Sequence, residues 1–135
     1  MEPSAARDDA AQREEVVAAS VRKFQKELNA GTVSLVLLAL LADASQPVYG
    51  YQIAKDLVAA SGEGVQIKQG TLYPVLRSLE AGGLLSSRVE PSVSGPPRRY
   101  YRITEPGRQA LALWRSAWAG TRDFIDVVLE GHLGH

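Results

Sequence analysis

The sequence predicts a mainly α fold with a small β-hairpin, a winged helix-turn-helix domain framed by N- and C-terminal dimerisation helices. Three observations carry that expectation. The run GTLYPVLRSLEAGGLL places Leu72, Val75, Leu76 and Leu79 at helical spacing and leaves amide, hydroxyl, phenol and guanidinium groups facing outward. Two strand-like runs follow, Leu84 to Glu90 and Arg99 to Thr104, with Pro91 to Pro97 as the loop between them. Charge is also segregated: residues 50–108 hold eight Lys/Arg against five Asp/Glu, while the first 49 residues carry a net −2 and the last 27 a net −1. A neutral chain thus concentrates its positive charge on the helix-and-hairpin segment, as a nucleic-acid binder does.

Residues 1–8 read as a disordered tail and 9–29 as an N-terminal helix for dimer contact, with Asp9 and Gln12 at capping-box spacing. Val17, Val21, Phe24 and Leu28 form one narrow apolar stripe on it, which needs a partner surface. Asn29 and Gly31 read as its stop and Thr32 as the N-cap of the next helix, TVSLVLLALLAD. That helix is apolar nearly all round and belongs at the centre of a winged domain spanning 30–104. Ser45 to Pro47 make a turn before a helix from about Tyr49 to Ala60, with Ile53 and Leu57 inward and Ala54 and Val58 as further candidates; Ser61-Gly62-Glu63-Gly64 ends it.

The following helix starts near Lys68 or Gln69 and runs to Ala81. Pro74 draws its start toward Gly70 and Thr71, because proline is best tolerated where its missing N–H has no intrahelical partner. Gly82-Gly83 close it. Thr104 caps a last helix over 105–131, with Pro106 in its first turn and Glu105 beside the positive end of the dipole. Ala110, Leu113, Trp114, Ala117, Trp118, Thr121, Phe124, Ile125 and Val128 make a stripe along it that is too broad and aromatic for a solvated arm.

At 135 residues and 45% hydrophobic, the chain can bury one core of ordinary size. The absence of cysteine excludes disulfides, thiolate metal sites and thiol nucleophiles, and fits a reducing cytoplasm. The polar, acidic start is unlike a signal peptide, and the longest apolar run, Leu35 to Ala42, falls far short of the roughly 20 residues of a membrane span. A soluble protein without membrane attachment is expected. No Gly-rich phosphate loop, nucleophile elbow or metal-ligand cluster is present, so neither catalysis nor a cofactor is expected. His132 and His135 in GHLGH offer two metal ligands without a third and read as a frayed tail.

With the leucines inward, Lys68, Gln69, Thr71, Tyr73 and Arg77 point outward at the leading end of the helix that recognition helices present to the major groove. Gln69 has the geometry to pair with adenine; Arg77 can take guanine or phosphate, and both remain open. Tyr73 can contact the DNA backbone, pack against the neighbouring helix, or do both. Arg98 and Arg99 flank the hairpin tip, where one reaches phosphate or the minor groove, since adjacent strand residues face opposite ways; a plain solvated hairpin is the alternative. Tyr51 and Lys55 on the preceding helix can brace phosphates or simply be solvated.

Taken in order and spacing, FQKELNAGTVSLVLLALL, PVYGYQIAKDL, GTLYPVLRSLEAGGLL and RRYYRITEPGRQAL resemble the PadR family of bacterial transcriptional regulators over about Phe24 to Leu113. The single C-terminal helix resembles the shorter-armed subfamily. That resemblance implies a cytoplasmic homodimeric repressor on a palindromic DNA operator, with DNA affinity altered by a small planar aromatic or drug-like effector. It also places Trp118 at a ligand-stacking position between protomers, with Trp114 and Phe124 near it, although dimer core is the other reading of Trp114 and helix packing of Phe124. The wing approach Ser94-Gly95-Pro96-Pro97 is stiffer and less basic than the family pattern, and the stretch before Phe24 is longer. Two alternatives stand beside this reading: a winged-helix protein-interaction module that binds no DNA, and a DNA-binding regulator with no effector.

Overall fold

The computed structural model describes residues 3–62 and 67–134. The chain forms α1 (Pro3–Asp43), β1 (Val48–Tyr49), α2 (Gly50–Ala60), α3 (Gln69–Ala81), β2 (Leu85–Glu90), β3 (Arg98–Ile103) and α4 (Glu105–Leu129). It divides into two compact units, Met1–Thr32 and Val33–His135.

Within the first unit the described residues are entirely helical. The tail predicted at 1–8 is corrected: α1 already begins at Pro3, since proline suits a first helical position and the Ala-rich stretch behind it propagates the helix past Asp9. Residues 1 and 2 lie outside the described residues. The predicted break at Asn29 to Thr32 is corrected as well, because α1 is continuous to Asp43. The would-be capping groups bond back into the helix: Gln25 Nε2 donates to Asn29 Oδ1 at 2.9 Å, and Thr32 Oγ1 donates to the Leu28 carbonyl at 3.0 Å. Val17, Val21, Phe24 and Leu28 remain exposed.

In the second unit the core is built from Val33, Leu37, Leu38 and Leu41 of α1, Ile53, Ala54 and Leu57 of α2, Leu72, Leu76 and Leu79 of α3, and Leu85, Tyr101, Ile103 and Leu111 beyond them. Val58, a candidate inward residue, is exposed instead. The sheet has the order β1-β3-β2 and is antiparallel throughout, with Val48 opposite Tyr101 and Leu85 opposite Ile103 through to Glu90 opposite Arg98. Strand β1 stands where only a turn and a helix start were expected. Residues 63–66, and with them the expected Glu63-Gly64 stop, lie outside the described residues.

The start of α4 is tied to the turn between α3 and β2. Thr104 Oγ1 accepts from the Gly107 N–H at 3.0 Å and donates to the Gly83 carbonyl at 2.7 Å, so one hydroxyl caps α4 and ties it to the end of α3. A Cβ at Gly107 would meet the Leu84 carbonyl oxygen at 2.1 Å, so only glycine lets helix and strand approach this closely. Leu111 of α4 reaches the core, whereas Leu113, placed on the predicted stripe, is exposed. No helix among the described residues is long and apolar enough to cross a membrane. His132 lies 3.7 Å from Glu130, and its predicted companion His135 is outside the described residues.

Candidate nucleic-acid interface

Helix α3 presents its polar side as a ladder. Gln69, Tyr73 and Arg77 follow one another at four-residue steps, with Gln69 Nε2 donating to Tyr73 Oη at 3.3 Å and Arg77 Nε to the Tyr73 carbonyl at 3.4 Å. Tyr73 is half-buried against the core with its hydroxyl toward Gln69, so packing and surface presentation hold together. Lys68 and Thr71 are exposed at the leading turn. Lys68 is in extended conformation and its side chain makes no cap; the Thr71 N–H donates instead to the Lys68 carbonyl at 3.0 Å.

Beside this ladder lies an open cleft of about 470 Å³, lined by Tyr49, Gly50, Tyr51, Tyr73, Arg77, Glu80, Arg99 and Tyr101. Tyr51, Tyr73, Arg77 and Arg99, all expected at the interface, are thereby brought together. Lys55 stands exposed one turn beyond Tyr51 on α2. Strand alternation separates the arginine pair: Arg99 enters the cleft, and its Nη1 donates to Ser87 Oγ at 2.8 Å, while Arg98 sits 5.2 Å from the Tyr49 ring centroid as a cation–π contact. Tyr49 packs in turn at 5.9 Å from Tyr51 and 5.7 Å from Tyr100. The Ser87 hydroxyl donates to the Glu80 carboxylate. Burial pushes the Tyr101 phenol up from its ordinary value against the downward pull of Arg99, with Glu80 assisting burial and Arg77 opposing it.

Tyr49, Glu80, Ser87 and Tyr101 were not singled out from the sequence. The alternation of β3 carried the signal for two of them: once Arg99 is assigned to the inner face, Tyr101 follows at the next inward position, and Ser87 is its partner across the ladder.

The aromatic residues of α4 are distributed differently. Trp114 packs against the core, whereas Trp118 is 39% exposed and Phe124 59%. The second unit therefore uses Trp114 in its own packing and leaves Trp118 and Phe124 partly exposed.

The profile of the transcriptional regulator PadR-like family matches residues 37–113, from the core half of α1 into α4. The chain belongs to the PadR-like family. It is 40% identical over 97 residues to the transcriptional regulator Rv3488 of Mycobacterium tuberculosis, covering 72% of this chain and 81% of that one. Among solved structures, it superposes on a PadR family transcriptional regulator from Eggerthella lenta with a TM-score of 0.69 and 32% identity, covering 89% of this chain and 97% of the other. A transcriptional regulator from Clostridium thermocellum gives a TM-score of 0.65 and 30% identity, covering 74% and 95%. This PadR-like protein is a DNA-binding transcriptional regulator and not an enzyme, and its helices around a small three-stranded sheet are the expected winged-helix fold.

Proposed function

We propose that this regulator is a cytoplasmic homodimeric repressor that reads a palindromic operator with α3 and the β2–β3 wing of each protomer. The observation that carries this reading is the ladder of Gln69, Tyr73 and Arg77 beside a cleft holding Arg99, a set of base-reading and phosphate-binding groups on one helix and its adjoining strand. Gln69 and Thr71 read bases in the major groove; Lys68, Tyr73, Arg77, Tyr51, Lys55 and the wing arginines Arg98 and Arg99 hold the backbone.

Titration of the full chain with duplex from its own upstream region, across a salt series, tests the reading. Binding should weaken steeply between low and physiological salt, by about 0.9 logarithmic units of affinity per tenfold salt for each phosphate contacted. Affinity absent at low salt, or flat with salt, would falsify it and favour the protein-docking alternative.

Release of the operator is assigned to a planar aromatic effector stacking on Trp118, with Trp114 and Phe124 beside it. The support is the exposure of the Trp118 ring and of Phe124. Planar aromatic compounds should quench tryptophan emission and lower operator affinity, and Trp118→Ala should lose that response while keeping the oligomeric state. An unchanged response in the variant leaves the effector assignment without its site.

A further inference from the structure

We propose that Glu80 and Ser87 act as positioning residues that hold Arg99 in register for a DNA phosphate, so that the acidic group in the cleft serves binding rather than opposing it. The inference rests on the DNA-binding reading above and deepens it. A carboxylate beside Arg77 and Arg99 is at first sight misplaced on a surface meant for a polyanion. Its hydrogen bonding resolves the difficulty.

Ser87 has one hydroxyl proton, and it is donated to Glu80, an acceptor-only group when ionised. The oxygen of Ser87 then has only lone pairs left to offer on its other side, and Arg99 Nη1 donates into them at 2.8 Å. The direction of the relay is thus fixed from Arg99 through Ser87 to Glu80, since a guanidinium only donates and the serine proton finds no acceptor on the Arg99 side. Glu80 and Ser87 are half-buried while Arg99 is exposed, so the anchored end is shielded and the guanidinium remains accessible with its other N–H groups. The three residues belong to α3, β2 and β3, so the relay also ties the recognition helix to both strands of the wing.

An arginine already held in place loses less side-chain freedom on meeting a phosphate, which is how preorganisation raises affinity. Ser87→Ala is the decisive variant because it breaks the relay with no change of charge. Operator affinity and its salt dependence are measured for the wild-type chain and for Ser87→Ala, Arg99→Ala, the double variant and Ser87→Thr, with urea midpoints in parallel. Expected are a loss of about three- to tenfold in affinity for Ser87→Ala, recovery in Ser87→Thr, a shallower salt slope in Arg99→Ala by about one phosphate contact, and a double variant no weaker than Arg99→Ala alone.

Unchanged affinity in Ser87→Ala, losses that add in the double variant, or an Arg99→Ala indistinguishable from wild type would each overturn the relay while operator binding by the wild-type chain still stands. Failure of the wild-type chain itself to bind would instead remove the reading on which the relay depends. Should Ser87→Ala lower the urea midpoint, the comparison of Ser87→Thr with wild type decides, since threonine keeps both the hydroxyl and a strand-compatible backbone.

Discussion

At the scale of single residues, Tyr101 joins the core to the candidate interface. It is only 4% exposed, stands opposite Ser87 in the hairpin, and lines the cleft where Arg77 and Arg99 gather. Burial disfavours its phenolate, and the pKa is accordingly raised above the ordinary phenol value of about 10. The unfolded chain ionises this group first as pH climbs, so the stabilisation it supplies is fully present below about pH 10 and is lost as pH rises through the folded-state value. Urea unfolding followed from pH 8 to 11 should show a decline above about pH 10 that is shallower in Tyr101→Phe. An identical decline in the variant would place the alkaline sensitivity on another group.

Among the elements, the junction of β2 with α4 sets the tightest tolerance. A methyl at Gly107 is driven into the backbone oxygen of Leu84 at 2.1 Å and onto Ile103 Cγ1 at 2.7 Å, and backbone cannot swing aside as a flexible side chain can. Gly107→Ala should therefore destabilise the second unit by at least ~1–3 kcal/mol, read as a lower urea midpoint at unchanged slope. A midpoint equal to wild type would contradict the close approach.

The winged order itself was legible because its signals are local: leucines at helical spacing in α3, a double glycine, and strand runs on either side of a proline-bounded loop. Gly107 was hidden because nothing in its neighbours marks a contact made with Leu84, more than twenty residues away. The false break in α1 has a similar origin. Asn29, Gly31 and Thr32 carry stop-and-start chemistry, yet Asn29 and Thr32 bond within the helix and Gly31 has open space around it, so no local barrier interrupts the turns. Likewise β1 is two residues long, too short for alternation to declare, and exists only because Tyr49 and Val48 find Tyr100 and Tyr101. In the candidate site, outward facing on a helix could be read from spacing, which gave Gln69, Tyr73 and Arg77. Glu80 and Ser87 required knowing which side of β2 meets α3.

On the scale of the whole molecule, the apolar surface left uncovered is more than scattered hydrophobics account for. The first unit carries Val17, Val21, Phe24 and Leu28 along one helix, and α4 carries Trp118, Ile125 and Val128 along another, all exposed. Such stripes, in a regulator proposed to read a palindrome, fit the requirement that two recognition helices be held at a fixed separation. Joining two half-site contacts makes the second intramolecular and multiplies affinity by roughly 10²–10⁴. Ile125→Glu combined with Val128→Glu puts two carboxylates on the α4 stripe, on a different element from the residues proposed to contact DNA. Sedimentation should then shift from dimer to monomer at micromolar concentration, and affinity for the full operator should fall by about that factor, while affinity for an isolated half-site stays within about twofold because the α3 surface is untouched. A wild-type chain that sediments as a monomer, or a variant that remains dimeric, would remove α4 from the dimer; a variant that loses half-site binding to the same extent would show that the stripe supports the fold of the reading head instead of pairing two of them.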